Sequence, residues 1–202
     1  MIDRLEQVAA RPVSRETLGK LEAYVRLLRA EARHQNLISI STLDQVWERH
    51  ILDSAQVVRF EPHTRASWAD VGSGAGFPGI VIACLVEGPV TLIEPRRLRA
   101  DFLHKCSESL NLDARILCAK AERVEGPFDV ITARAVARLT DFLKLSHHLS
   151  TTKTVWALPK GRRAESELAE ARRAWQGVFH VERSVTNADS WIVVGTGVRA
   201  KR

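Results

Sequence analysis

Asp70-Val71-Gly72-Ser73-Gly74-Ala75-Gly76-Phe77-Pro78-Gly79 is the stretch on which the reading of the fold turns. It places four glycines between an apolar run, Trp68 to Val71, and a helix-like run, Ile80 to Leu85. Glycine reaches positive φ without a Cβ clash and lets a ligand touch the backbone. A strand that ends in such a loop and passes into a helix is the nucleotide-binding corner of a parallel α/β sheet.

The neighbours narrow the ligand. The next apolar run, Val90-Thr91-Leu92-Ile93, ends in Glu94, at the spacing of about 20 residues from the first glycine where a carboxylate accepts hydrogen bonds from ribose hydroxyls. Asp70 precedes the loop, where a carboxylate meets a diphosphate unfavourably and a cationic cofactor favourably. S-adenosylmethionine carries a sulfonium, an ammonium and an adenosine without phosphate, so these residues favour it over NAD. Asp70 also suits a second task, capping backbone N–H groups of the loop. The two roles are compatible.

At 202 residues and 45% hydrophobic, the chain is long enough to bury a proper core. No apolar run approaches the roughly 20 residues that span a bilayer, and no signal-peptide pattern opens the chain, so a soluble, cytoplasmic protein is expected. Cys84, Cys106 and Cys118 lie in apolar-periodic segments without CxxC spacing and are expected reduced and buried. His147-His148, the one adjacent histidine pair, points two ways on a helix, and no metal site is expected. The net charge of +6 favours a polyanionic partner.

Residues 1–63 form a helical extension in this reading, and residues 64–202 the cofactor-binding domain, packed as one compact unit. Leu18, Leu21, Val25, Leu28 and Ala32 recur at steps of three and four, the stripe of an amphipathic helix, with Ser14 as its N-cap. A second helical stretch is expected from about Leu43 to Arg59, and a linker at Glu61–Thr64. Beyond Ser67, strands and helices alternate. Strands are expected at Ser67–Val71, Val90–Ile93, Ala114–Cys118, Phe128–Thr132, Thr154–Leu158, Phe179–Thr186 and Ser190–Val198. Helices are expected from Pro78, over Leu98–Leu110, Leu139–Leu149 and Ala164–Trp175. Such alternation builds a mostly parallel, Rossmann-like, seven-stranded sheet with a closing antiparallel hairpin, the variation seen in class I methyltransferases. Arg199-Ala200-Lys201-Arg202 reads as a short basic tail.

Five signatures occur in one order: Asn36-Leu37-Ile38-Ser39-Ile40, His50-Ile51-Leu52-Asp53-Ser54, the Asp70–Gly79 loop, Phe128-Asp129-Val130-Ile131-Thr132-Ala133-Arg134-Ala135, and Lys160-Gly161. The series resembles the glucose-inhibited division protein B family, the bacterial 16S ribosomal RNA guanine-N7 methyltransferases, over roughly residues 20–198. The resemblance implies S-adenosylmethionine as methyl donor and N7 of a guanine in the 530 loop of 16S rRNA as acceptor. The 30S subunit or its precursor would be the partner; separately, no exposed heptad or long edge in the sequence argues for more than a monomer. The resemblance assigns cofactor contacts to Gly72, Phe77, Ala121, Glu122 and Arg134. Asp70, Gly74, Gly76 and Glu94 join them from the residue reading. Lys120 stands where the family shows arginine, keeping the charge but losing the bidentate fork. Arg96 and Arg97 stand where a Lys-Lys pair is usual. Lys120, Arg96, Arg97 and Lys160 are the RNA-binding candidates.

The chemistry agrees with a ring-nitrogen target. Exocyclic-amine methyltransferases place an Asn/Asp-Pro-Pro-aromatic turn after the fourth strand, where this chain reads Ala133-Arg134-Ala135-Val136. Pyrimidine-C5 enzymes need an activated thiolate, and the three cysteines fall in expected core elements. Guanine N7 has a free lone pair and no proton, so transfer calls mainly for in-line orientation. No acid–base residue is therefore assigned, and Arg134, Lys160 and His50 are positioning candidates. His50 and Asp53, three apart, can share a helix face, either as a lid or as a hydrogen-bond network fixing the extension to the sheet. Trp47, Trp68 and Trp156 read as core. Competing readings are a small-molecule methyltransferase, a non-catalytic ribosome-associated binding protein and a NAD-dependent reductase.

Overall fold

The computed structural model describes residues 1–201, the Ile40 side chain excepted. Arg202 of the basic tail lies outside the described residues. The elements are α1 (Ile2–Ala9), α2 (Arg15–Glu31), α3 (Ile40–Leu43), α4 (Asp53–Ala55), β1 (Trp68–Val71), α5 (Gly79–Leu85), β2 (Val90–Ile93), α6 (Arg97–Ser109), β3 (Ala114–Leu117), β4 (Val130–Thr132), α7 (Leu139–Ser146), β5 (Val155–Lys160), α8 (Ala164–Ala174), β6 (Trp175–Arg183) and β7 (Trp191–Ala200). The seven strands lie in the order β3-β2-β1-β4-β5-β7-β6. The first five pair in parallel, and β7 runs antiparallel to both β5 and β6.

This order explains where a ligand can sit. From β1 the chain winds outward through β2 to β3, then returns to place β4 on the other side of β1. The loops leaving β1 and β4 therefore diverge at the carboxyl ends of neighbouring strands and leave a crevice. Short strands buried on both faces fit this position; β1 and β2 are buried at every residue.

Two apolar clusters cover the two faces. One gathers Leu21, Tyr24, Leu28, Ile51, Trp68, Ile80, Leu92 and Phe102, so α2, α5 and α6 share it with the irregular segment ahead of β1. The other holds Val71, Ile131, Phe142, Trp156, Leu158 and Leu168 beneath α7 and α8. Trp68 and Trp156 are fully buried, while Trp47 is half-buried at the edge of the first cluster. Residues before and after position 63 thus contribute to the same core. Within the described residues, no helix is long and apolar enough to cross a membrane.

Several expectations change. The Ser14 cap holds, its hydroxyl accepting from the Thr17 N–H at 3.0 Å. The helix α1 goes beyond the expected elements, with Leu5, Val8 and Ala9 buried along one face. The stretch expected as one helix from Leu43 to Arg59 is a π-helical turn (Trp47–Leu52), α4 and a 3₁₀ turn (Gln56–Phe60) in succession. That broken winding turns His50 and Asp53 toward the sheet ends. The expected linker is tied down, Glu61 pairing with Arg11 at 2.8 Å. The closing strands are shifted from their apolar patterns: β6 starts earlier, at Trp175, and ends earlier, at Arg183, and β7 runs on to Ala200, because antiparallel pairing joins Trp175 to Ala200 through an irregularity at Gln176/Val178. The beginning of the supposed tail is therefore strand.

Cys106 is buried and Cys84 half-buried, and burial pushes both thiols up to about 12. Cys118 is exposed, contrary to expectation. It follows the edge strand β3, and the crossover to β4 carries only a short 3₁₀ turn, Ala121–Arg123, so no long helix covers that face. The histidine pair is spent on backbone, His147 and His148 meeting the carbonyls of Val198 and Ala121 at 3.2 Å and 3.1 Å.

Tyr24 on α2 is fully buried and donates to the carbonyl of Ala75 in the glycine loop at 2.7 Å. Tyr24→Phe keeps the packing and deletes that bond, so urea unfolding should show a loss of about 1 kcal/mol with an unchanged m-value.

Candidate active site

The loop after β1 is held by side chains on three sides. Glu94, at the end of β2, accepts the Gly74 N–H through Oε2 at 2.8 Å and the Arg96 N–H through Oε1 at 2.9 Å. Asp70, inside β1, accepts the Gly79 N–H at the start of α5 at 3.0 Å. Tyr24 supplies the third bond. The loop bends through left-handed backbone at Gly72 (φ +75) and Gly74 (φ +59). A Cβ on Gly72 would lie 2.6 Å from the Val136 side chain, whereas one on Gly74 would meet nothing nearer than 3.8 Å. Gly72 lets the β4 loop approach, and Gly74 faces open space in the crevice. Gly76 points inward, where a Cβ would strike Ile80 and the Tyr24 hydroxyl.

Asp70 takes up the capping role rather than facing the crevice. It is fully buried, and its Oδ1 has no partner. Burial outweighs the bond from the Gly79 N–H and pushes its carboxyl up to about 7.

Phe77 joins the loop to the N-terminal segment. The His50 ring stacks on it at 4.8 Å and 19°, and the Tyr24 ring lies tilted at 5.4 Å. The guanidinium carbon of Arg134 lies 6.0 Å from the Phe77 ring centre. His50 is 8% exposed and neither of its ring nitrogens has a partner. Burial, with Arg134 and Arg49 adding to it, lowers its pKa to about 4, so it stays neutral near pH 7.

Of the clefts along the crevice, two bear on the site. One, of about 260 Å³, is lined by Leu37, Ile38, His50, Gly72, Gly74, Phe77, Arg99 and Arg134, among others. The second, of about 290 Å³, lies over the ends of β4 and β5 and is lined by Asp53, Arg134, Ala135, Lys160, Glu167, Ser190 and Trp191, among others. Arg134 and Ala135 belong to both walls. Ala135 adopts φ 55, a left-handed conformation that a residue with a Cβ holds only under constraint, directly where the clefts meet.

Most of the sequence candidates converge here. Gly72, Gly74, Phe77, His50 and Arg134 line the first cleft, and Glu94 braces its floor. Lys160 lines the second, although its ammonium is already engaged by Glu167 at 2.9 Å and the Ala137 carbonyl at 2.8 Å. Ala121, Glu122 and Lys120 follow β3, outside the lining of either cleft, with Ala121 buried and the other two exposed. Arg96 and Arg97 are exposed at the start of α6, Arg97 pairing with Asp101. The hydrogen-bond network expected of the extension forms through Asp53 and Gln56, while the His50 ring makes no hydrogen bond. Sequence reasoning missed Gln56, Glu167, Ser190, Trp191 and Arg99. Glu167 and the Ser190-Trp191 pair come from a helix and a hairpin whose patterns look purely structural.

The first cleft suits S-adenosylmethionine. The half-buried backbone of Gly72 and Gly74 admits a ligand closely, and a neutral His50 avoids repelling a cation. The partnerless ring nitrogens of His50 and the buried Arg134 Nη1 await hydrogen-bond partners. The residues that would hold it are Gly72, Gly74, Phe77, Glu94, His50 and Arg134.

A family model described as rRNA small subunit methyltransferase G matches residues 17–190. The chain belongs to that family. It is 46% identical over 199 residues to "Ribosomal RNA small subunit methyltransferase G" of Zymomonas mobilis, covering 94% of this chain and 90% of that protein. The protein of the same name from Erythrobacter litoralis is 45% identical over 187 residues, covering 91% and 90%. Among solved structures, a SAM-dependent methyltransferase from Aquifex aeolicus superposes with a TM-score of 0.62 at 15% identity, covering 79% of this chain and 99% of that one. TYW2 of M. jannaschii, solved in complex with AdoMet, gives 0.57 at 14% identity, covering 82% and 78%. The fold is therefore that of class I methyltransferases.

Two measurements check the site. A carboxyl whose folded pKa is raised adds stability at low pH and loses it as pH rises through the folded value. The ligand-free protein should therefore lose stability through Asp70 as pH rises from about 4 to about 7, levelling off above, and denaturant unfolding of Asp70→Asn should lack that decline. Gly74→Val places a side chain into the first cleft on strained backbone. Its calorimetric affinity for S-adenosylmethionine should fall at least about tenfold with the circular dichroism spectrum retained, and unchanged affinity would remove the loop from the donor site.

Proposed function

We propose that this chain transfers a methyl group from S-adenosylmethionine to N7 of a guanine in the 530 loop of 16S rRNA, acting as a monomer on the small ribosomal subunit or its precursor. The observation that carries the reading is the shared wall of the two clefts. A donor on the glycine loop and a base over β4 and β5 would meet beside Arg134 and Ala135. Membership of the rRNA small subunit methyltransferase G family supports the class of substrate. The particular guanine rests on the resemblance of the five sequence signatures.

The chemistry that bound S-adenosylmethionine supplies is an electrophilic methyl carbon on sulfur. The protein's part is to bind, orient and exclude water. The glycine loop and Phe77 fix one reactant, and the second cleft receives the other. The carboxylates in that cleft are already engaged. Asp53 accepts from Thr186 and Gln56, and Glu167 accepts from Lys160 and the Leu139 N–H. Neither is placed as a free base, in keeping with a lone-pair acceptor that has no proton to lose. Arg134 cannot fork onto both O6 and N7 of guanine while N7 reacts, so its work is positioning on the donor side. The positive surface includes exposed Arg96, Arg97 and Lys120 and suits contact with RNA phosphates.

Mass spectrometry of 16S rRNA from cells lacking the protein should show one guanine without its methyl. An unchanged methylation pattern would overturn the proposal. Lys120→Ala, at an exposed position, should weaken binding to 30S subunits about threefold to tenfold and reduce the slope of log K against log salt by about one; a slope equal to wild type would remove Lys120 from phosphate contact.

A further inference from the structure

We propose that Asp53 is a positioning residue, which sets the guanidinium of Arg134 at the junction of the two clefts; the inference rests on the methyl-transfer reading above. Asp53 belongs to the N-terminal segment, Arg134 to the loop after β4, and the groups that hold Asp53 come from the closing hairpin. Three distant parts of the chain thus meet at one carboxylate.

Its two oxygens are used differently. Oδ1 accepts from the Thr186 hydroxyl at 3.0 Å and from the Gln56 amide at 2.9 Å. The same Gln56 nitrogen reaches the Ser184 hydroxyl at 3.0 Å, and Gln56 Oε1 accepts the Val185 N–H at 3.0 Å. This oxygen is anchored on both sides. Oδ2 faces Arg134, with Nε at 3.7 Å, and the two side chains are only 14% and 25% exposed.

Arg134 is a long side chain that would otherwise sample many rotamers. Three groups restrict it: Oδ2 of Asp53, the Arg49 carbonyl, which accepts from Nη2 at 3.0 Å, and the face of Phe77. Nη1 is left buried and without a partner, and Arg134 lines both clefts. A donor group held at three points and unsatisfied at a fourth is preorganised for a ligand. Asp53 supplies the anionic point among the three. Asp53 itself lines the second cleft, so the geometry of Arg134 is set from the acceptor side.

Asp53→Asn keeps the size and an acceptor for Thr186 and Gln56 while removing the charge opposite Arg134. With 30S subunits as substrate, kcat should fall roughly 10- to 100-fold and KM should change less than about threefold. In an Arg134→Lys background the same substitution should change kcat less than about twofold, because the group it positions is gone. Equal fold losses in both backgrounds, or a wild-type kcat in Asp53→Asn, would overturn the proposal. If Asp53→Asn does not fold, Thr186→Val carries the test, with a smaller loss of kcat that again disappears in the Arg134→Lys background. An arm without substrate separates this idea from the functional reading. The ¹⁵N resonance of Arg134 Nε should shift between wild type and Asp53→Asn in the free protein, and an unmoved resonance would sink the pairing. A shifted resonance alongside a wild type inactive on 30S subunits would overturn the methyl-transfer reading and leave the Asp53–Arg134 contact intact.

Discussion

The loop after β1 is the constraint on which the rest of this molecule depends. A run of glycines is the least ordered kind of chain in water, and here side chains from three elements take up its backbone groups. Glu94 holds Gly74, Asp70 holds Gly79, and Tyr24 holds Ala75. Each bond joins the loop to a neighbouring layer: the adjacent strand, its own strand, and the N-terminal helix. The conformational entropy lost in ordering glycine is offset by contacts that exist only once the sheet and the helical segment have assembled.

That arrangement accounts for the place of the N-terminal segment. The segment shares an apolar cluster with the sheet and brings Tyr24, His50 and Asp53 to the carboxyl ends of the strands. Its irregular winding between Trp47 and Phe60 is what separates the last two, directing His50 to Phe77 and Asp53 to the closing hairpin. The hairpin, which looks like a mere edge of the sheet, in turn lines the second cleft through Ser190 and Trp191. Structure and site are therefore built from the same contacts, and the sheet acts as the rigid base on which three loops converge.

Electrostatics inside the crevice follow from burial. A neutral His50 and an Asp70 held near neutrality leave Glu94, Asp53, Glu167, Arg99, Arg134 and Lys160 as the charged side chains around the two clefts, and the three carboxylates and Lys160 have close hydrogen-bonded partners for their charged groups. The unsatisfied capacity concentrates on Arg134 Nη1 and the His50 ring. A site organised in this way favours orientation of bound partners over proton transfer, which suits attack by a lone pair on an activated methyl.

The sequence by itself determined the fold class, the strand count, the glycine loop with its acid after the second strand, and the family. Those features are local: periodicity, glycine spacing and short motifs survive in one dimension because they reflect backbone needs within a few residues. Only the tertiary structure decided that Asp70 faces the interior, that Cys118 is open to solvent, that Lys160 is paired, and that Gln56, Thr186 and Glu167 belong to the site. These depend on which side chains from distant segments converge. No spacing within the chain announces that Asp53, Arg134 and Thr186 will meet, because hydrogen-bond geometry and burial arise when the N-terminal segment, the sheet and the hairpin close on one another.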